Sequence, residues 1–330
     1  MTDFRSPFAV DSPASRRLGR IGVWSNVDHL TGPQLMAFAG RVEKLGFDAL
    51  WLQEGAGREP FAALGAIAMR TDRIALGVGI ASIYARDAMA AHAAALTLAE
   101  LSGGRFVLGL GVSHPFRVEG QRGQTYLSPV PTMSAYLDAY ARAPYQAPRR
   151  QEEPPVVLAA LRRRMLELAA GRADGAFPYF VPVDYVARAR EVIDRAAIGA
   201  GRTARPTLVV SLPAVLETDP DAARSAGRRY TAPYLGMPNY RNNLVECGFD
   251  EGDLVAPGSD RLVDALVAWG DAKSIRARID ALHAAGADHV ALIPLGPDGR
   301  HANLPVIDAI GDAAQGRPTA WAASGTISLA

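Results

Sequence analysis

Eight short apolar runs recur along this chain, and segments with helical periodicity separate most of them. The clearest instance lies at 72–115. Ile74-Ala75-Leu76-Gly77-Val78-Gly79-Ile80 is one apolar run, an Ala-rich segment follows from Asp87 to Leu101, and Gly103-Gly104 ends it. A second run then starts at Arg105 and reaches His114. Two apolar strands joined through a helix are parallel neighbours with both faces covered. Glycines crowd the C-terminal ends of both runs, where parallel α/β folds place their ligands. Chemistry is expected at that rim.

The alternation extends in both directions. Residues 1–19 have no periodicity and read as a flexible N-terminal tail. Ile21–Ser25 is the first strand. Thr31 and Pro33 open a helix that carries Leu35, Phe38, Val42 and Leu45, and Gly46 stops it. Ala49–Leu52 is the second strand, ending at Gln53-Glu54-Gly55, and a helix over Phe61–Arg70 leads to Ile74. From Glu119 to Pro154 glycines and prolines interrupt the pattern, which marks an insertion over the rim or a linker, with Met133 to Ala143 able to form a helix. Later runs start at Pro155, Asp174, Thr207 and His289. Asp184 reads as a helix N-cap, and Leu262, Leu266 and Trp269 as one late helix. This pattern predicts a single domain over 20–330 with an α/β fold, the (β/α)₈ TIM barrel. The competitor is a doubly wound open sheet. Gly77-Val78-Gly79 and Gly109-Leu110-Gly111 both lack the third glycine of the dinucleotide-binding fingerprint.

Composition narrows the function. Of 330 residues 49% are hydrophobic, and the formal net charge is +1, which gives no reason to expect nucleic acid or an anionic membrane as partner. No apolar run approaches the roughly 20 residues that cross a bilayer, and no signal peptide is read, so a cytoplasmic protein is expected. Cys247 is the only cysteine and is read as a small buried hydrophobe. The histidines have no metal-ligand spacing, so no metal is expected. Neither Lys44 nor Lys273 falls at a strand end, which argues against a lysine-dependent lyase or isomerase.

What remains are the strand ends: Trp24, Glu54, Gly79-Ile80-Ala81-Ser82, Ser113-His114 and Phe177-Pro178-Tyr179. A carboxylate and an imidazole can donate and accept protons, and the aromatic and small residues suit a flat, largely apolar ring system. The plainer readings are an ion pair of Glu54 with Arg58 and a turn before Pro115 capped by His114. Trp51 and Trp269 are read as core.

The segments LGFDALWLQE (45–54), DRIALGVGIASIYARD (72–87), SGGRFVLGLGVSHP (102–115), ADGAFPYFVP (173–182), PYLGMPNYRNNLVECGF (233–249) and GADHVALIPL (286–295) resemble the luciferase-like flavin-dependent oxidoreductases, in particular the branch that uses the deazaflavin coenzyme F420. The resemblance implies a luciferase-like barrel with a tricyclic ring in its mouth. It implies a non-prolyl cis peptide at Gly79–Ile80, within a bulge behind that ring. It assigns Gly79, Ile80, Ala81, Ser82, Ser113, Phe177, Pro178 and Tyr179 to the cofactor, and Trp24 and Tyr234 to a small-molecule substrate. The cofactor's phosphate tail is expected near Pro178–Val181, the helix start at Asp184, or Arg162-Arg163-Arg164. Some deazaflavin dehydrogenases of the family have His where this chain has Gly55 and Glu where it has His114. Here the expected catalytic pair is His114, exchanging the substrate proton, and Glu54, positioning it or the ring. The segments 119–154 and 234–249 are expected to shape the substrate pocket. A homodimer is expected through the helices after the second and third strands, where Ala90, Ala94 and Ala95 permit close approach. The alternatives are an FMN-dependent monooxygenase of the same fold and a non-catalytic flavin-binding barrel.

Overall fold

In the computed structural model, which describes residues 8–311, eight parallel strands close into a ring. They are β1 (Ile21–Ser25), β2 (Ala49–Leu52), β3 (Ala75–Ser82), β4 (Phe106–Gly111), β5 (Val156–Leu158), β6 (Gly175–Ala176), β7 (Thr207–Leu216) and β8 (His289–Leu295). Each pairs with the next, and β8 closes on β1 through Val290 opposite Ile21. This is the (β/α)₈ barrel that the sequence predicts, and each strand falls on one of the expected runs. The strands are buried almost throughout, because barrel core fills one face and helices cover the other. That is why they read as unbroken apolar runs rather than as alternating ones.

The core shows why particular glycines are needed. Trp51 on β2 is fully buried and lies opposite Gly77 on β3. A Cβ at Gly77 would come within 2.2 Å of the indole ring, so any other residue there would displace the tryptophan. Trp51 also meets Phe177 edge-on at 5.2 Å and donates its indole N–H to Nε2 of His289 at 3.1 Å.

The crossover helices include α1 (Gly32–Lys44), α2 (Pro60–Ala68), α3 (Ala88–Leu101), α4 (Pro129–Ala141), α5 (Arg163–Arg172), α6 (Val183–Gly199), α7 (Pro220–Leu235), α8 (Pro238–Glu246) and α9 (Ala272–Ala284). Their starts follow local chemistry. Thr31 and Gln34 form a capping box on α1, and the carboxylates of Asp87 and Asp271 accept the N–H groups of Ala90 and Ser274. Within the expected insertion, α4 packs on α3 and α5 rather than forming a loose linker. On α3, Ala95 is buried against the body of the barrel and Ala90 is exposed.

Several expectations need correction. Residues 8–19 are not a loose tail. Val10–Asp11 pairs in parallel with Ala204–Arg205, and Pro13–Leu18 is a helix capped by Ser12. Residues 1–7 of that expected tail, and 312–330 of the expected domain, lie outside the described residues. Trp269 is not helical: the helix ends at Leu266, and Ala268–Gly270 adds a short strand to the outer end of β7. Asp184 lies in the first turn of α6, whose N-cap is Pro182. Cys247 is half-buried, and its sulfur accepts a hydrogen bond from Arg188. Two expectations hold as stated: the peptide bond Gly79–Ile80 is cis, and the pairing of β3 with β4 shifts register between Val78 and Ala81, the bulge that the resemblance implies. No helix among the described residues is long and apolar enough to cross a membrane.

The helix Pro13–Leu18 lies across the N-terminal ends of the strands. Ser12 and Ser15 hydrogen-bond the Thr207 hydroxyl at the start of β7, Arg17 donates to the Phe106 carbonyl at the start of β4, and the Gly19 carbonyl meets Nδ1 of His289 at 3.1 Å. The barrel's lower end is closed by these contacts.

Candidate active site

At the opposite end, where the strands finish, a cavity of about 210 Å³ opens between β1, β2, β3, β4 and the segments after β5 and β6. Of the residues expected here, Trp24, Glu54, Gly79, Ile80, Ser113, His114, Phe177, Tyr179 and Tyr234 line it. Ala81, Ser82 and Pro178 are buried and do not belong to the lining. Ser82 contributes through its backbone, whose N–H donates to Glu54 at 2.7 Å.

The floor of the cavity is built by close approach. The Trp24 indole N–H donates to the Gly79 carbonyl at 2.5 Å, and a Cβ on Gly79 would lie 2.7 Å from that indole nitrogen. Glycine at 79 therefore lets the tryptophan approach β3 closely. Tyr179 stands 5.7 Å from Trp24, centroid to centroid, and His301 stands 5.5 Å from it on another side. Burial pushes the His301 imidazole down to about 4, so the ring is neutral.

A tyrosine cluster forms one wall. The Tyr230 hydroxyl donates to that of Tyr179 at 2.5 Å, and the hydroxyls of Tyr179 and Tyr234 are 2.8 Å apart. Burial raises all three phenols above their ordinary range, so they stay protonated. Tyr240 meets Tyr234 edge-on at 5.4 Å and lies 5.4 Å from the His114 ring. Tyr230 and Tyr234 come from α7 and Tyr240 from α8; Tyr234 and Tyr240 lie in the segment 234–249 expected to shape the pocket, and Tyr230 lies just before it.

Glu54 and His114 differ in what they have free. One Glu54 carboxylate oxygen accepts the Ser82 N–H and the other is bound by Arg86, not by Arg58. Arg86 also reaches Glu59 at 3.1 Å and lies 4.5 Å over the Phe61 ring, while Arg58 donates to the Leu30 carbonyl. The Glu54 side chain is only 6% exposed. With both oxygens engaged, it anchors the β3 bulge and has little capacity left for proton exchange. His114 is the N-cap residue of the short helix Pro115–Val118, but its carbonyl does the capping: it accepts from Arg117 and Val118 at 3.0 Å, and the ring makes no cap bond. The imidazole stands between Phe116 and Tyr240 and lines the cavity. Burial first, and then the Arg117 cation, hold its pKa below the ordinary histidine value. Ser113 beside it has φ 59°, and Phe180 behind the tyrosines has φ 61°, left-handed conformations that cost a non-glycine residue about 1–2 kcal/mol.

The cavity continues outward into a groove of about 1100 Å³, and the two share Val112, Ser113, His114, Ala159, Leu161, Met237 and Asn239. Arg162, Arg163 and Arg164 line this groove; Arg162 pairs with Glu246, and Arg163 with Glu167 at 2.8 Å. The other expected phosphate positions differ. Of Pro178–Val181 only Tyr179 lines either cavity, and the start of α6 already carries the carboxylate of Asp184 in its first turn.

Sequence reasoning missed Gln53 and Arg117 in the lining and Tyr230 behind it, and it reached Tyr240 only as part of the segment 234–249. Tyr230 and Tyr234 are four residues apart on α7 and so share a helix face, a signal that periodicity could have found. Arg117 lies just past the fourth strand, where nothing in the sequence separates it from any surface arginine. No group of three or more His, Cys, Asp or Glu side chains that could hold a metal ion occurs among the described residues.

Comparison with known proteins places this geometry. The chain is 29% identical over 329 aligned positions, covering 83% of it and 93% of the relative, to a provisionally named coenzyme F420-dependent oxidoreductase of Mycobacterium tuberculosis. In fold it is similar to the coenzyme F420-dependent tetrahydromethanopterin reductase of Methanopyrus kandleri, with a TM-score of 0.71 at 18% identity over 89% of this chain and 97% of that one. It is likewise similar to the oxygenating constituent of 3,6-diketocamphane monooxygenase of Pseudomonas putida, solved with FMN, with a TM-score of 0.68 at 16% identity over 90% and 97% of the two chains. The luciferase-like monooxygenase model matches residues 18–289, and the chain belongs to that family.

Proposed function

We propose that this protein is an oxidoreductase that passes a hydride between coenzyme F420 and a small organic substrate. The observation that carries the proposal is the pair of adjoining cavities: an aromatic-lined one beside His114, and next to it an arginine-lined groove with which it shares seven lining residues. The residues present fit such a cofactor. Trp24, Gly79, Ile80, Phe177 and Tyr179 offer a planar, apolar seat for its ring, and the groove offers cations for an anionic tail. The relative named for F420 supports this choice over FMN, since its similarity extends over most of both chains.

When bound, the deazaflavin supplies a two-electron hydride acceptor or donor at C5. The chain's own residues do the rest. The His114 ring, neutral and facing the cavity, takes the proton that leaves a substrate O–H or N–H as its carbon loses hydride, or returns it in the reverse direction. Glu54, paired with Arg86, holds the end of the β3 bulge in place through the Ser82 N–H. Tyr179, Tyr230 and Tyr234 keep one wall rigid and exclude water.

Titration of the purified protein with F420 and with FMN tests the reading. Saturable quenching of deazaflavin fluorescence, with no comparable binding of FMN, is the expected result. Binding of FMN alone would establish the monooxygenase alternative, and binding of neither would remove redox function from the barrel.

A further inference from the structure

Apart from tyrosines, which burial keeps protonated, three ionisable side chains line the inner cavity: Glu54, His114 and Arg117. Glu54 is neutralised by Arg86, and His114 is held neutral by its surroundings. Arg117 is the exception. Its guanidinium has no hydrogen-bond or ion-pair partner among the described residues; it lies 5.6 Å over the Phe116 ring and near enough to His114 to act on it electrostatically. Gln53, at the end of β2, also has an amide without a partner among the described residues. The two converge. A methyl-sized point on Gly55 lies 3.5 Å from Nε2 of Gln53 and 3.7 Å from Nη1 of Arg117, and with glycine there this corner stays open.

An unpaired cation and an unpaired amide donor beside an aromatic slot make a seat for one oxyanion. We infer that Arg117 and Gln53 bind a carboxylate carried by the substrate, so that the substrate class is a small, flat organic acid. This rests on the proposed function for its setting, and on the donor geometry for its content. Two chemistries could supply the anion, the substrate's carboxylate or the cofactor's phosphate. Position favours the former: Arg117 and Gln53 line the inner cavity and are absent from the outer groove, which has Arg162–Arg164 of its own. A carboxylate met by the guanidinium fork would orient the substrate towards His114, three residues back along the chain.

Calorimetric titration with benzoate, and with benzamide as its uncharged counterpart, tests the inference on the protein with and without F420. Wild type is expected to bind benzoate more tightly than benzamide. Arg117→Met should weaken benzoate by roughly ten- to a hundredfold, the weight of a charge-assisted hydrogen bond, and leave benzamide unchanged. Arg117→Lys, which keeps the charge but loses the fork, should fall between. The thermal midpoint of both variants should match wild type, because the guanidinium has no internal partner to lose. Equal binding of the two probes, or an Arg117→Met variant that binds benzoate like wild type, overturns the inference. So does an Arg117→Met variant that loses affinity for F420 instead, since the anion would then be the cofactor's phosphate. A protein that binds benzoate through Arg117 but neither F420 nor FMN would retain this site while the proposed function fails.

Discussion

His114 is where chemistry and charge meet. Burial and the neighbouring Arg117 both favour its neutral form, so the ring is ready to accept a proton near neutrality. The rate should fall as pH drops through a pKa below the ordinary value of about 6.5. Removing the cation in Arg117→Met relieves the repulsion, so the acid limb of the kcat/KM profile should move to higher pH. His114→Ala should lower turnover by roughly 10²–10⁴-fold, the usual yield of general acid–base catalysis; a steady-state assay with F420 checks it, and unchanged turnover would remove the ring from the mechanism. Glu54 behaves differently. Its pair with Arg86 is largely buried, and breaking such a pair from one side leaves an uncompensated charge. Arg86→Met should therefore cost about 3–5 kcal/mol in denaturant unfolding. The position of Glu54 at a strand end was legible in the sequence; its partner was not. Arg86 lies 32 residues away, and only the parallel pairing of β2 with β3 brings the loop after β3 beside the end of β2. The left-handed backbone at Ser113 and Phe180 was equally hidden, because neither is a glycine that would announce it.

At the scale of elements, the strands were readable because barrel strands are buried on both faces and leave unbroken apolar runs. The short strand at Ala268–Gly270 was not, because Leu262 and Leu266 set up a helical spacing that Trp269 happens to continue. The candidate site was legible on the strand ends and, through the resemblance, at Tyr234 and the segment 234–249; Tyr230, one turn earlier on α7, looks like ordinary core and was not found. The hydrogen bonds of the tyrosine cluster predict a measurable coupling. Tyr230→Phe removes the donor to Tyr179, and Tyr179→Phe removes the hydroxyl shared by its neighbours. Each should cost about 1 kcal/mol. The double variant should cost less than the sum of the two, because they share one hydrogen bond. Thermal unfolding of the three variants reads this directly.

The whole molecule carries a pH signature that does not involve the cavity. His289 is fully buried on β8, between the Trp51 indole and the Gly19 carbonyl, and burial pushes its pKa down to about 4. The unfolded chain binds a proton near pH 6.5 that the folded chain refuses until pH falls to about 4. The stability this provides is present above pH 6.5 and is lost as pH falls from there towards 4, by roughly 3 kcal/mol. His301 adds a loss in the same window. Melting curves should show it, and His289→Gln should flatten the slope.

The closed lower end of the barrel bears on how the chain can be cut. The family match begins at residue 18, yet Ser12, Ser15 and Arg17 tie down β7 and β4, and Ala14 and Leu18 are fully buried. A chain trimmed to its family-like portion would lose its plug, strand the Thr207 hydroxyl and let water into the base of the vessel. A version starting at Gly19 should melt well below one starting at Phe8. The stopper, which lies ahead of the stretch that the family model matches, keeps this cup from leaking.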